Sequence, residues 1–196
     1  LFFGTSMVLY KLPSAKGHSK SATTFWVLSF SFVFSSIFFY QYFVGITGMV
    51  MLFGLLWGGS FALIMILQMY ALGHIDTSVL FPTTSITSLV VAGITLAVFI
   101  VYLFIHKKGK MEYSLPLIYI GTTIVFLSAF NKIIQKFAAD SVNIQALQIT
   151  QYFFGALLAL GIFLYQKHKN IVKDKLTNSL RAGLYISVPA FLGGYA

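Results

Sequence analysis

The chain has 196 residues, of which 58% are hydrophobic, 17% aromatic and only 9% charged, with a mean hydropathy of +0.88. A soluble domain carries roughly 25% charged residues, so an ordinary water-soluble globule is excluded, as is a disordered chain, which needs low hydrophobicity. The net charge of +9 comes from lysines clustered between apolar runs, the pattern of cytoplasmic loops in a membrane protein rather than of a nucleic-acid binder.

A hydrocarbon core of about 30 Å takes roughly 20 apolar residues as helix. The first apolar segment, residues 1–12, is half that length and ends at Lys11 and Pro13. It lacks a basic lead-in and a cleavage site, so no signal peptide is expected. The chain opens without Met inside this run and stops at Ala196 inside another, and we expect it to be a fragment. The second segment spans about residues 23–43 and is dense in Phe and Ser. The third, 48–72, follows almost at once. The fourth, 78–105, ends at the cluster His106, Lys107, Lys108 and Lys110. The fifth and sixth cover 114–134 and 144–165, and the seventh starts near Leu180. Runs of this length exclude the alternating pattern of a barrel, and in lipid only helices and closed barrels span. The expected fold is an all-α, polytopic helical membrane protein.

The fourth segment is long for one span and far too short for two. As one span, it divides the lysines and arginines five against eight between the two sides; as two spans, eleven against two, with only Lys132 and Lys136 on the poor side. The second division follows the positive-inside rule better. We therefore expect a helix end, a loop and a helix start to be missing near residues 90–95. A single tilted span is the alternative.

Several stretches resemble the drug/metabolite transporter superfamily, in particular its ten-helix EamA-type members. Phe3-Gly4-Thr5-Ser6-Met7-Val8-Leu9-Tyr10-Lys11 is similar to that family's first helix. Leu56-Trp57-Gly58-Gly59-Ser60-Phe61 followed by Met69-Tyr70-Ala71-Leu72 resembles its third. Thr77-Ser78-Val79-Leu80-Phe81-Pro82 resembles the proline-bearing start of its fourth, and Gly93-Ile94-Thr95-Leu96 its fifth. The acidic signature that closes the family's fourth helix is absent, at the place where charge counting puts the gap. The resemblance implies inverted five-helix repeats, here incomplete. Residues 1–110 would form the first repeat, with helices four and five fused, and residues 111–196 part of the second, helices six to eight. Gly121-Thr122-Thr123 is similar to Gly4-Thr5-Ser6, and Leu192-Gly193-Gly194-Tyr195-Ala196 to Trp57-Gly58-Gly59-Ser60-Phe61-Ala62, as repeats would require.

All four acids (Asp76, Glu112, Asp140, Asp174) fall in loops, so no carboxylate within a span offers a proton relay. On the third segment Trp57, Phe61, Ile64 or Met65, and Gln68 share a helix face, which would line a substrate cavity or simply pack. Gly54 and Gly58 form a GxxxG pair, which would serve internal packing or a homodimer. Pro82 frees a backbone carbonyl beside Thr83, Thr84 and Ser85, making either a polar ligand-binding stretch or a plain kink. Asn131, Gln148 and Gln151 would contact substrate or bond neighbouring helices; the two glutamines are three apart and share a face. The four His are scattered, cysteine is absent, and no P-loop or Ser/His/Asp cluster occurs. No metal, cofactor, ATP use or enzymatic activity is therefore expected.

These features lead us to expect a multi-pass secondary transporter of the cytoplasmic membrane. It would move a small organic metabolite (amino-acid-like, sugar or drug-like) by alternating access. Its partners would be that solute and the lipid bilayer. The alternative is a non-transporting integral membrane subunit that binds other membrane proteins through its small-residue helix faces. An integral-membrane enzyme is the third and weakest reading.

Overall fold

The structure, a computed structural model, describes Leu9, Pro13, residues 17–74 and residues 114–193. Five α-helices occupy them: α1 (Lys20–Phe38), α2 (Gly48–Ala71), α3 (Ser114–Ala139), α4 (Ile144–His168) and α5 (Leu180–Gly193). Short 3-10 turns at Tyr40–Gly45 and Leu176–Ser179 precede α2 and α5. The described residues contain no strand. Helices α1, α2 and α4 are long and apolar enough to cross a membrane, at about 28 to 38 Å for 19 to 25 residues. The chain is a membrane-embedded helical protein.

Local chemistry sets the starts of these helices. Ser19, Thr47 and Asn143 each place a side-chain oxygen on the first free N–H groups of α1, α2 and α4. The Asn143 oxygen accepts from Gln145 and Ala146 at 3.0 Å each. Such caps satisfy donors that helix geometry leaves open. Pro116 sits in the first turn of α3, where a missing N–H breaks no helical bond.

The boundaries depart from expectation at three places. The second apolar segment does not remain helical to Phe43: α1 ends at Phe38, and Tyr40–Gly45 tightens into a 3-10 turn. That turn brings the chain round to the Thr47 cap within a few residues. Helix α3 continues past residue 134 to Ala139, taking Gln135 and Lys136 out of the expected loop, and α4 continues to His168. Lys136, Lys167 and His168 sit in last turns, where the helix dipole favours positive charge.

The helices pack in the spatial order α3, α2, α4, α1, α5, with α4 central. The α2–α4 crossing is built on glycine. A Cβ placed on Gly58 would lie 2.9 Å from the Gly155 nitrogen and 3.1 Å from the Gln151 carbonyl carbon, and one on Gly54 would lie 2.6 Å from Thr150 Cβ. Gly155 in turn faces the Gly58 carbonyl on one side and the Leu28 side chain of α1 on the other. The GxxxG face is thus covered by α4 of the same chain. Gly183 lets α5 approach the Trp26 backbone in the same way. Two apolar clusters flank the crossing: Leu28, Met65, Met69, Ile124, Tyr152 and Ile186 with their neighbours, and Val50, Trp57, Ile134, Ala138 and Leu147 with theirs.

Contacts along each pair give the helix directions. Ser21 meets Gln166, Leu28 meets Gly155 and Phe32 meets Phe153, so α1 and α4 are antiparallel. Val50 and Gly54 meet Thr150 while Gly59 meets Leu158, so α2 and α4 are parallel. The first half of α2 clusters with the end of α3 and its second half with Ile120 and Ile124, so α2 and α3 are antiparallel. His74 and Ser114 therefore stand at the same end of the bundle. The fourth apolar segment, with the join expected near residues 90–95, lies outside the described residues, as does most of the first.

Overpacking the crossing is expected to destabilise the bundle. Gly58→Val forces a side chain against α4 backbone and lowers stability by about 1–3 kcal/mol. Gly161→Ala, which would meet nothing within 4 Å, leaves stability unchanged or raises it by less than about 1 kcal/mol. Thermal unfolding of the detergent-solubilised chain checks both, and equal midpoints would refute the crossing.

Candidate functional site

The middle of α2 is the hub on which the sequence-predicted residues converge. On one side, the buried Ser60 hydroxyl donates to the Asn131 side-chain oxygen of α3. The same hydroxyl lies 2.7 Å from the Leu56 carbonyl and 3.1 Å from the Trp57 carbonyl. On the other side, Gly58 sits directly on the Gln151 backbone of α4. Trp57 is buried in the cluster with Ile134 and Leu147, and Phe61 is half-buried between the two apolar clusters. Asn131, Gln148 and Gln151 are each less than a tenth exposed. Trp57, Phe61, Asn131 and Gln151 thus gather around one level of the bundle, with Gln148 about one turn away along α4.

Gln68 stands apart. It is buried on the same helix, ten residues beyond Gly58 and so about 15 Å along the axis. Among the described residues, the carboxamides of Gln68 and Gln151 make no hydrogen bond. Pro82 and Thr83 lie outside the described residues.

Sequence reading missed four contributors. Ser60, named above only as part of the stretch at residues 56–62, carries the polar link to α3. Thr150 packs under Gly54 and turns its hydroxyl back to the Leu147 carbonyl at 2.9 Å, with Val50 O at 3.4 Å. Ser31 and Ser35 put buried hydroxyls on the inner face of α1 with no hydrogen-bond partner among the described residues. Spacing gave no signal for Thr150: residues five apart on a helix do not share a face, and its contact with Gly54 is seen only in the packed bundle.

Chemically, this level offers neutral amides and hydroxyls in an apolar surround. Such groups discriminate solutes by hydrogen bonding and leave a large penalty for any bond not made. Of the acids, Asp140 and Asp174 lie outside the helices, and Asp76 and Glu112 are outside the described residues. Among the described residues, no three His, Cys, Asp or Glu side chains gather tightly enough to hold a metal ion.

Among the described residues, the one ionisable group with a clear shift belongs to the end of the bundle. Asp174 accepts from the Ser19 N–H at 3.3 Å, the Lys175 N–H at 3.0 Å and the Asn178 side chain, and its second oxygen lies 3.7 Å from His18 Nδ1. Burial by itself raises this carboxyl. The hydrogen bonds from Asn178, Ser19 and Lys175, with His18 nearby, outweigh that and hold it below the ordinary value of 3.8. Together with the Ser21–Gln166 bond at 2.7 Å and the Trp26 Nε1 donation to the Leu176 carbonyl at 2.8 Å, it ties the start of α1 to the end of α4 and the α4–α5 loop.

No family model, no curated protein and no solved structure matches this chain. What the fold and site define is a class: a membrane-embedded, all-helical protein whose interior carries uncharged polar side chains at a glycine-built helix crossing.

A carboxyl depressed by folding contributes stability that is complete above its unfolded value and lost as pH falls through its folded value. The tie at Asp174 therefore holds at neutral pH and weakens below about pH 4. Asp174→Asn is expected to lower stability at neutral pH and to flatten its acid dependence. Thermal midpoints between about pH 3 and pH 7 test this, and parallel curves for the two chains would refute it.

Proposed function

We propose that the chain acts in secondary transport, moving a small organic solute across the cytoplasmic membrane by alternating access. The observation that supports this reading is the placement of Asn131, Gln148 and Gln151 in the apolar interior, at the level where α2, α3 and α4 meet. Buried polar side chains within spans are costly and commonly mark substrate paths. Those at this level are uncharged, which suits a solute recognised through hydrogen bonds to hydroxyl, amide or carboxylate groups, with Trp57 and Phe61 offering an aromatic wall. The resemblance of short sequence stretches to EamA-type carriers, a family built of inverted five-helix repeats, supports the same reading.

Substrate-dependent flux into proteoliposomes, screened with amino acids, sugars and drug-like amines, is the direct test. The Gln151 carboxamide makes no hydrogen bond among the described residues, so Gln151→Leu removes a ligand group without breaking an internal bond. That variant and Trp57→Phe, which keeps an aromatic ring in the buried cluster, are each expected to reduce flux about tenfold while the fold is retained. Full flux in both would remove the site assignment. Absence of flux for every solute class would favour a non-transporting membrane subunit.

A further inference from the structure

The helix directions sort the described charges into two unequal ends. One end carries the starts of α1, α3 and α5 and the finishes of α2 and α4. The other carries the α1–α2 and α3–α4 connections. Lys167, Lys169, Lys173, Lys175 and Arg181 are all exposed at the first end, with Lys20 half-buried beside them. The second end has Lys132 and Lys136 near the finish of α3, followed by Asp140.

The basic end has a single described acid, Asp174, and it is turned inward. Its two oxygens are occupied by Ser19, Lys175 N–H, Asn178 and His18. It therefore braces the loop instead of pairing with the neighbouring Lys173 and Lys175 side chains. The lysines are left exposed around a loop held against the start of α1 by the Trp26–Leu176 and Ser19–Asp174 bonds. Tyr70, Tyr165 and Tyr185 are exposed within about two turns of the same end, at the depth where aromatic side chains mark the border between hydrocarbon and headgroups. A fixed row of exposed cations just outside an aromatic border is placed to meet lipid phosphates.

We propose that this end faces the cytoplasm and that its α4–α5 loop is a contact surface for anionic lipid headgroups. The positive-inside bias sets the orientation. Each juxtamembrane lysine contributes attraction of a size that changes lipid affinity about fivefold, within a Debye length of the surface. The inward-held Asp174 prevents the loop from neutralising itself.

Two measurements test it on the full chain. The absence of cysteine lets single substitutions report sidedness without background. With a membrane-impermeant maleimide, Ser141→Cys is expected to label in intact cells and Lys173→Cys only after permeabilisation; the reverse overturns the orientation. In nanodiscs, retention of phosphatidylglycerol over phosphatidylcholine is expected to fall about fivefold per lysine removed in the K169Q/K173Q/K175Q variant. The K169R/K173R/K175R variant is expected to retain it, which separates charge from folding. Equal retention of the two lipids, or no change on removing the lysines, overturns the lipid contact. Displacement of the lipid by inorganic phosphate at constant ionic strength also overturns it, assigning the surface to a soluble anion.

Discussion

Apolar helices in lipid gain little by hiding oily side chains from one another, because lipid tails are as apolar as leucine. They associate where backbones approach closely enough for dispersion contacts and weak polar contacts to accumulate. In this chain the α2–α4 crossing meets that demand. Gly54 and Gly58 of α2 and Gly155 of α4 remove the side chains that would hold the two backbones apart. Helix α4 then serves both neighbours, since Gly155 also receives Leu28 of α1. Every other described helix is positioned relative to this pair: α3 on the far side of α2, and α5 on the far side of α1.

The same crossing governs where polarity can be placed. Close backbones leave no room for large side chains between α2 and α4, so Thr150 lies under Gly54 and turns its hydroxyl back to its own helix. Ser60, two residues beyond Gly58, turns instead toward α3 and meets Asn131. Gln151 brings its backbone to Gly58, leaving its carboxamide without an internal bond among the described residues. Buried polar groups of this kind are stable only with partners. The contrast between the paired Asn131 and the unbonded Gln151 carboxamide is why the α4 residue is the better candidate for ligand contact.

At the bundle end a different force dominates. Asp174 is partly withdrawn from water and held by N–H and amide donors, so its negative charge is spent on fixing the loop. Lysines on either side remain in solvent. Fixed loop geometry and unneutralised charge therefore arise from one side chain.

Much of the helical framework was legible in the chain itself. Apolar runs of about 20 residues leave helix as the form that satisfies their backbone in lipid, and Ser19, Thr47 and Asn143 mark starts by chemistry that acts over three residues. The membrane character, the helices α1, α2 and α4 and the loop positions of Asp140 and Asp174 follow from such local rules. The pairing of faces does not. These helices are apolar nearly all round, so they carry no strong stripe to tell a lipid-facing side from a packed one. That Gly58 would meet Gly155, that Asn131 would find Ser60 while Gln68 stood some 15 Å along the axis from Gly58, and that Asp174 would reach back to Ser19 were decided only in three dimensions. Each contact joins residues far apart in the chain, and only the packed bundle determines which distant backbone fills the space a glycine leaves open.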